Sequence, residues 1–211
     1  GELSTLERSE SASLGLRVLI GKKQACVATH DIHPDRLTDM VERAVSMAKL
    51  APEDPYAGLA EQGQLATHIP DLDLFDGVEV SADQLIASAK TMEQTVRENP
   101  LVTNVEESNA SWGLSGFAFV TSHGFAGGYR GTSHGLSIEV VAGTGTNMVR
   151  DYDYSSALHG SDMRSAIDVA QGAAKRTVSR LNARKMPTKK IPVVFAPRVA
   201  SSLLRNLLGA M

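Results

Sequence analysis

The spacing of apolar and polar positions changes period several times along the chain, and each change marks an element. Leu14, Leu16, Val18 and Ile20 alternate with other residues, and the Gly21-Lys22 turn leads into a second run from Ala25 to Thr29. Residues 2–31 therefore predict a meander of three strands. Pro34 suits a first helical position, and Leu37, Val41, Ala44, Ala48 and Ala51 recur at helical spacing before Pro52, which predicts a helix over 34–51. Between Pro52 and Val80 the periodicity fades into a long irregular connection containing Pro70-Asp71-Leu72-Asp73-Leu74-Phe75-Asp76. Ser81 with Gln84 three residues later forms a capping box, and Leu85, Ala89, Met92 and Val96 carry a second helix over 82–98 until Asn99-Pro100.

Residues 101–154 are β-rich, with strands predicted near 102–111, 114–121, 125–131, 134–142 and 147–154. Ser122-His123-Gly124 and Gly143-Thr144-Gly145 supply the turns. Ser161 can cap a third helix over 161–182, lined by Met163, Ile167, Ala170, Ala174, Val178 and Leu181. Ile191 to Phe195 reads as a short strand entering a last helix through Pro197, with Val199, Leu203, Leu204, Leu207 and Leu208 on one face. Strands clustered in runs favour an α+β fold over an alternating α/β one. The expected architecture is a two-layer sandwich, an antiparallel sheet of at least five strands covered by helices. The expected division is one α+β domain over 1–195, with 196–211 opening a following carboxy-terminal domain. An opening without Met and a close inside an apolar helical pattern suggest a piece of a longer protein.

The 211 residues, 42% apolar and 21% charged, suffice for a core and argue against disorder and against a disulfide scaffold. The apolar stretch from Val193 to Met211 is broken by Pro197, Arg198 and Arg205, so no membrane span is expected. No secretory signal is visible, and the single Cys26 fits a reducing compartment. The net charge of −3 hides an asymmetry, since nine Lys or Arg and no Asp or Glu lie between Gln171 and Met211. An acidic body carries a basic tail.

Candidate chemistry is sparse. Among His30, His33, His68, His123, His134 and His159 the closest approach to ligand spacing is His30-Asp31-Ile32-His33, but Pro34 forces His33 toward extended geometry and no His-Glu-x-x-His or Cys pair accompanies it. A strand end and helix cap explain the segment better than a metal. Cys26 lies in an apolar-alternating strand, where a small core side chain is the expected role. Gly124 to Gly131 lacks the following helix of a phosphate cradle and fits hairpin and bulge duty. Asp151 and Asp153 share one face of a strand, where a solvated strand end is more common than acid–base work. In the basic segment 175–190, Arg176, Arg180 and Arg184 stack on one helical face without interleaved aromatics. Salt bridges to an acidic neighbour fit better than nucleic-acid binding.

Four stretches in order resemble the TldD/PmbA family, once described as modulators of DNA gyrase, and its PmbA (TldE) branch in particular. They are Pro70 to Asp76, Thr121-Ser122-His123-Gly124-Phe125, Arg150-Asp151-Tyr152, and Arg180-Leu181 to Thr188 before Pro192-Val193-Val194-Phe195. The resemblance implies an amino-terminal fragment of a bacterial or archaeal cytoplasmic protein more than twice as long. It further implies a complex in which a TldD-type subunit holds the metal, expected to be zinc, on a His-Glu-x-x-x-His helix with a distant Cys, and degrades or processes unfolded peptides. That motif is absent here, so no catalytic residue, metal ligand or cofactor is expected in this chain. His123, Arg150, Asp151 and Tyr152 are the candidates for a surface that faces the TldD-type partner or the peptide. A homo-oligomer in isolation is an additional expectation. Two other readings are a DNA gyrase or nucleic-acid modulator acting through 175–190, and a cryptic hydrolase using His30, His33 or Cys26.

Overall fold

The computed structural model describes residues 2–211, which fall into two compact units, one ending at Leu181 and one spanning Asn182–Met211. The first unit opens with a hairpin, β1 (Leu14–Ile20) and β2 (Lys23–Thr29), paired antiparallel from Leu14↔Thr29 to Ile20↔Lys23. Gly21 turns it at φ 61°, a value that favours glycine. Residues 2–13 form no strand, so the expected three-stranded meander is a two-stranded hairpin. Cys26 is exposed on it, correcting the expected core role. Helix α1 (Pro34–Leu50) lies against both strands. Its buried stripe is Met40, Ala44 and Ala48: Ala44 and Ala48 lie on the expected face, while Met40 is buried in place of the expected Val41, which stays exposed.

Helix α2 (Ala82–Arg97) begins at the expected capping box: Ser81 Oγ accepts the Gln84 N–H at 3.3 Å and Gln84 Oε1 accepts the Ser81 N–H at 2.9 Å. A three-stranded antiparallel sheet follows in the order β3 (Val102–Val120), β4 (Ala126–Ala142), β5 (Val149–Ala157). The strands expected at 102–111 and 114–121 are one strand, and those at 125–131 and 134–142 are another. Gly113, Gly131 and Gly135 interrupt the apolar alternation, yet the pairing runs unbroken from Ser108↔Ile138 to Val120↔Ala126. Among the described residues there are five strands, divided between two sheets of two and three.

Helix α3 (Ala166–Ser179) begins later than expected. Ser165 rather than Ser161 caps it, because Ser165 Oγ accepts the Asp168 N–H at 3.1 Å and donates to Asp168 Oδ2 at 2.6 Å. Residues 160–162 form a separate 3-10 turn. Met92 and Val96 of α2, Val169, Ala170, Ala173 and Ala174 of α3, and Ile138 and Val140 of β4 make the buried core. The fold is α+β: two helices cover one face of the three-stranded antiparallel sheet.

The second unit holds α4 (Pro197–Gly209), whose Val199, Leu203, Leu204, Leu207 and Leu208 are exposed. The expected strand at 191–195 is irregular chain. Among the described residues no helix is long and apolar enough to cross a membrane.

Candidate functional site

Strand alternation sends successive β5 side chains to opposite faces. Asp151, Asp153 and Ser155 point to the helix-covered face and are buried, whereas Arg150, Tyr152 and Tyr154 stand on the open face. The buried carboxylates meet Arg164 just before α3, Arg176 within it and Arg180 at its C-cap. Arg164 Nη1 lies 3.0 Å from Asp153 Oδ2, Arg176 Nη1 2.5 Å from Asp153 Oδ1, and Arg180 Nη1 3.2 Å from Asp151 Oδ2. Burial alone would raise the Asp153 carboxyl, but hydrogen bonds from Arg176 and Arg164 outweigh it and hold the group below the usual carboxylate range. A Cβ on Gly172 of α3 would collide with the Asp153 carboxylate, so a glycine is what lets this carboxylate reach the helix. The two aspartates are structural locks, not a solvated strand end.

On the open face Arg150 Nη1 contacts Glu106 Oε2 at 3.1 Å and its Nε lies 3.4 Å from Glu139 Oε1. Tyr152 and Tyr154 stack beside them, ring centroids 6.3 Å apart. A cleft of about 720 Å³ opens at this end, lined in part by Thr103, Glu106, Gly143, Met148 and Arg150. Beyond β5, residues 126–133 of β4 pair only with β3. The two form a ribbon roughly 27 Å long at about 3.4 Å per residue, with Phe117, Phe119 and Tyr129 exposed and in ring contact. His123 lies at the exposed tip of this ribbon, in the turn closed by Thr121 N–H to Phe125 O at 2.9 Å. Of the four residues picked from the sequence, then, Arg150 and Tyr152 share the open face, Asp151 is buried beneath it, and His123 stands apart at the tip.

A second polar cluster carries no simple sequence signal. Leu74 O accepts the Thr132 N–H at 2.9 Å, and Asp76 N–H donates to Thr132 Oγ at 2.8 Å, which in turn donates to Leu158 O at 2.7 Å. Asp76 accepts the Gly160 and Val78 N–H groups at 2.8 and 3.1 Å, and these two bonds keep its carboxyl below the usual range. His134, nine-tenths buried, places Nε2 3.4 Å from Asp76 Oδ2. His159 Nε2 donates to Asp73 O at 2.8 Å, which raises the imidazole above its ordinary value despite the opposing effect of burial. The acidic linker motif is thereby fixed to the sheet. The fold, not spacing in sequence, creates the cluster by bringing Asp73 and Asp76 against His159 and Gly160.

The comparisons with known proteins agree with this architecture. Residues 75–181 match the domain family described as PmbA/TldA metallopeptidase central domain, and residues 1–48 match PmbA/TldA metallopeptidase domain 1. The chain is 36% identical over 214 residues to Metalloprotease PmbA of Escherichia coli O157:H7, covering 100% of this chain and 47% of that protein. It is 28% identical over 213 residues to a Metalloprotease PmbA homolog of Haemophilus influenzae, with coverage of 100% and 47%. The chain thus spans about half the length of the curated relatives it matches. A crystal structure from Bacteroides thetaiotaomicron, described as a candidate modulator of DNA gyrase, superposes with TM-score 0.88 at 22% identity, covering 98% of this chain and 48% of that one. TldE from Thermococcus kodakarensis superposes with TM-score 0.64 at 20% identity, covering 85% and 39%. These two likenesses concern the fold.

A metallopeptidase centre needs several convergent donors. Among the described residues no group of three or more His, Cys, Asp or Glu side chains is placed to hold an ion. Asp151 and Asp153 are engaged by arginines and Asp76 by main-chain amides, so the donors in this stretch do not fit such a centre. With two family domains matched in order and the antiparallel sheet, helix cover and linker motif in place, the chain belongs to the PmbA/TldD metallopeptidase family.

Proposed function

We propose that this chain is the amino-terminal part of a non-catalytic, TldE-type subunit of a cytoplasmic TldD/TldE-type peptidase complex that degrades or processes unfolded peptides. The metal, zinc in this reading, belongs to a TldD-type partner, where it would polarise the peptide carbonyl and activate water. The observation that carries the proposal is the use to which this family stretch puts its buried and half-buried carboxylates: Asp151 and Asp153 brace helix α3, Asp76 braces the linker, and among the described residues they converge on no ion site. The role left to the chain is to pair and to present surface. The face of β5 with Arg150, Tyr152 and Tyr154 offers exposed charged and aromatic side chains.

The nucleic-acid reading loses force from the same geometry, because Arg176 and Arg180 are committed to Asp153 and Asp151. The test is incubation of casein with the full-length protein, with a TldD-type partner, and with both, each with and without a chelator. Chelator-sensitive cleavage that requires both proteins supports the proposal. Equal cleavage by the full-length protein alone overturns it.

A further inference from the structure

The linker segment that carries the acidic motif runs beside β4 in register. Ile69 Cδ1 approaches the Cβ position of Gly127, Leu74 bonds Thr132, and Asp76 meets His134. Each pair differs by the same number of residues, so residues 69–76 lie parallel to β4. Their carboxy-terminal end, Asp76 beside His134, lies where the β5 pairing stops at His134↔Ala157. The segment therefore occupies the place of an edge strand along the β4 ribbon.

It does not form a ladder. In a parallel pair, Leu74 would bond both neighbours on β4, accepting from Thr132 and donating to the Arg130 carbonyl, and Asp76 N–H would reach the Thr132 carbonyl. Among the described residues only the first main-chain bond is made; the Asp76 N–H goes to the Thr132 hydroxyl instead. The rest of the attachment is side chain: Arg130 lies 3.7 Å over the Phe75 ring, and Asp76 and His159 clasp the carboxy-terminal end. A strand edge with main-chain groups left unpaired is a template for another extended chain, and such addition takes affinity from main-chain bonds that any sequence can supply.

We propose that residues 69–76 are a displaceable strap, and that the β4 edge beneath it, around Arg130 and Thr132, takes up an extended stretch of unfolded polypeptide when the strap lifts. This rests on the proposed peptide-handling function and adds a binding site on this chain. An incoming strand would complete the bonds to Arg130 and Thr132 that the strap leaves unmade. Its side chains would run beside Phe117 and Tyr129, whose rings are exposed on the same ribbon.

A disulfide can hold the strap down. A Cβ on Gly131 would sit 3.5 Å from the Leu74 Cβ, within the span of about 3.5–4.5 Å that a disulfide requires. The test uses the full-length protein with Leu74→Cys and Gly131→Cys in a Cys26→Ser background, and fluorescein-labelled reduced carboxymethylated casein as probe. The reduced variant and the Cys26→Ser parent should bind by fluorescence anisotropy, and the oxidised form should lose binding and regain it with dithiothreitol. Equal binding by the oxidised and reduced forms, or no binding by the parent, overturns the proposal. If the double variant does not fold, hydrogen exchange on the wild-type protein decides: bound casein should speed exchange at the amides of Asp76 and Gly160, whose bonds tie the strap to the body, while Thr132 stays protected, and unchanged exchange at Asp76 and Gly160 overturns it. Partner-dependent casein cleavage is measured alongside. Cleavage that proceeds equally with the strap locked removes the strap proposal and leaves the subunit reading intact, whereas absence of partner-dependent cleavage removes the latter.

Discussion

Replacing Asp153 by Asn keeps the shape of the side chain and removes the charge that Arg164 and Arg176 surround. Breaking one side of a buried ion pair costs about 3–5 kcal/mol. Here the Asp153 side chain is 6% exposed, but those of Arg164 and Arg176 are 43% and 40% exposed. Water recovers part of the loss for such partners, so about 2–3 kcal/mol is expected. At about 2–4 °C per kcal/mol for a unit of this size, the melting temperature should fall by roughly 4–12 °C. The assay is thermal unfolding followed by circular dichroism on wild type and Asp153→Asn across pH. A carboxyl held below its ordinary value stabilises above the unfolded pKa of about 3.9, and that contribution is lost as pH falls through the lower folded value. The gap between the two proteins should be level from about pH 5 to 8 and close below about pH 4. No gap at pH 7, or one that widens on acidification, would refute the lock.

Other changes probe the same framework. Gly172→Ala should lower the melting temperature measured by calorimetry, although an exposed helical site would gain about 1 kcal/mol from the exchange, because the new Cβ meets the Asp153 carboxylate. Thr132→Val removes a hydroxyl that accepts from Asp76 and donates to Leu158; denaturant unfolding should show a loss of about 1–3 kcal/mol. An NMR titration of His159 should give a midpoint above the ordinary histidine value, reduced in Asp76→Asn, since the bond to the Asp73 carbonyl and the nearby Asp73, Asp76 and Asp162 charges favour the imidazolium. Stabilisation from that charge is present below the ordinary value and lost as pH rises through the raised one.

Where local pattern and tertiary role coincide, the elements could be read directly from the chain. Ser81 and Gln84 cap α2 as their spacing predicts, and Met92 and Val96 fall on its buried face. The long ribbon was harder to see, because Gly113, Gly131, Ser133 and Gly135 break an alternation that main-chain pairing alone sustains. Asp151 and Asp153 illustrate the deeper limit. Their shared face follows from strand period, but Asp-Tyr-Asp-Tyr sends the carboxylates inward and the tyrosines outward, opposite to what polarity suggests. The reason lies in another element: arginines on the facing side of α3, with Gly172 leaving room between them. The paired occurrence of spaced acids on a strand and spaced arginines on the next helix was the available signal. The strap was not legible at all, since Leu74 meets Thr132 across a distance in sequence that no local pattern records.

The proposed division of labour between this chain and a TldD-type partner is tested most directly by metal content. The full-length protein and a TldD-type partner are purified separately, dialysed against zinc, and measured by elemental analysis alone and after mixing. The account predicts one tightly held ion per complex that travels with the partner, and none retained by the full-length form of this chain. A stoichiometric ion on the full-length protein alone would contradict it.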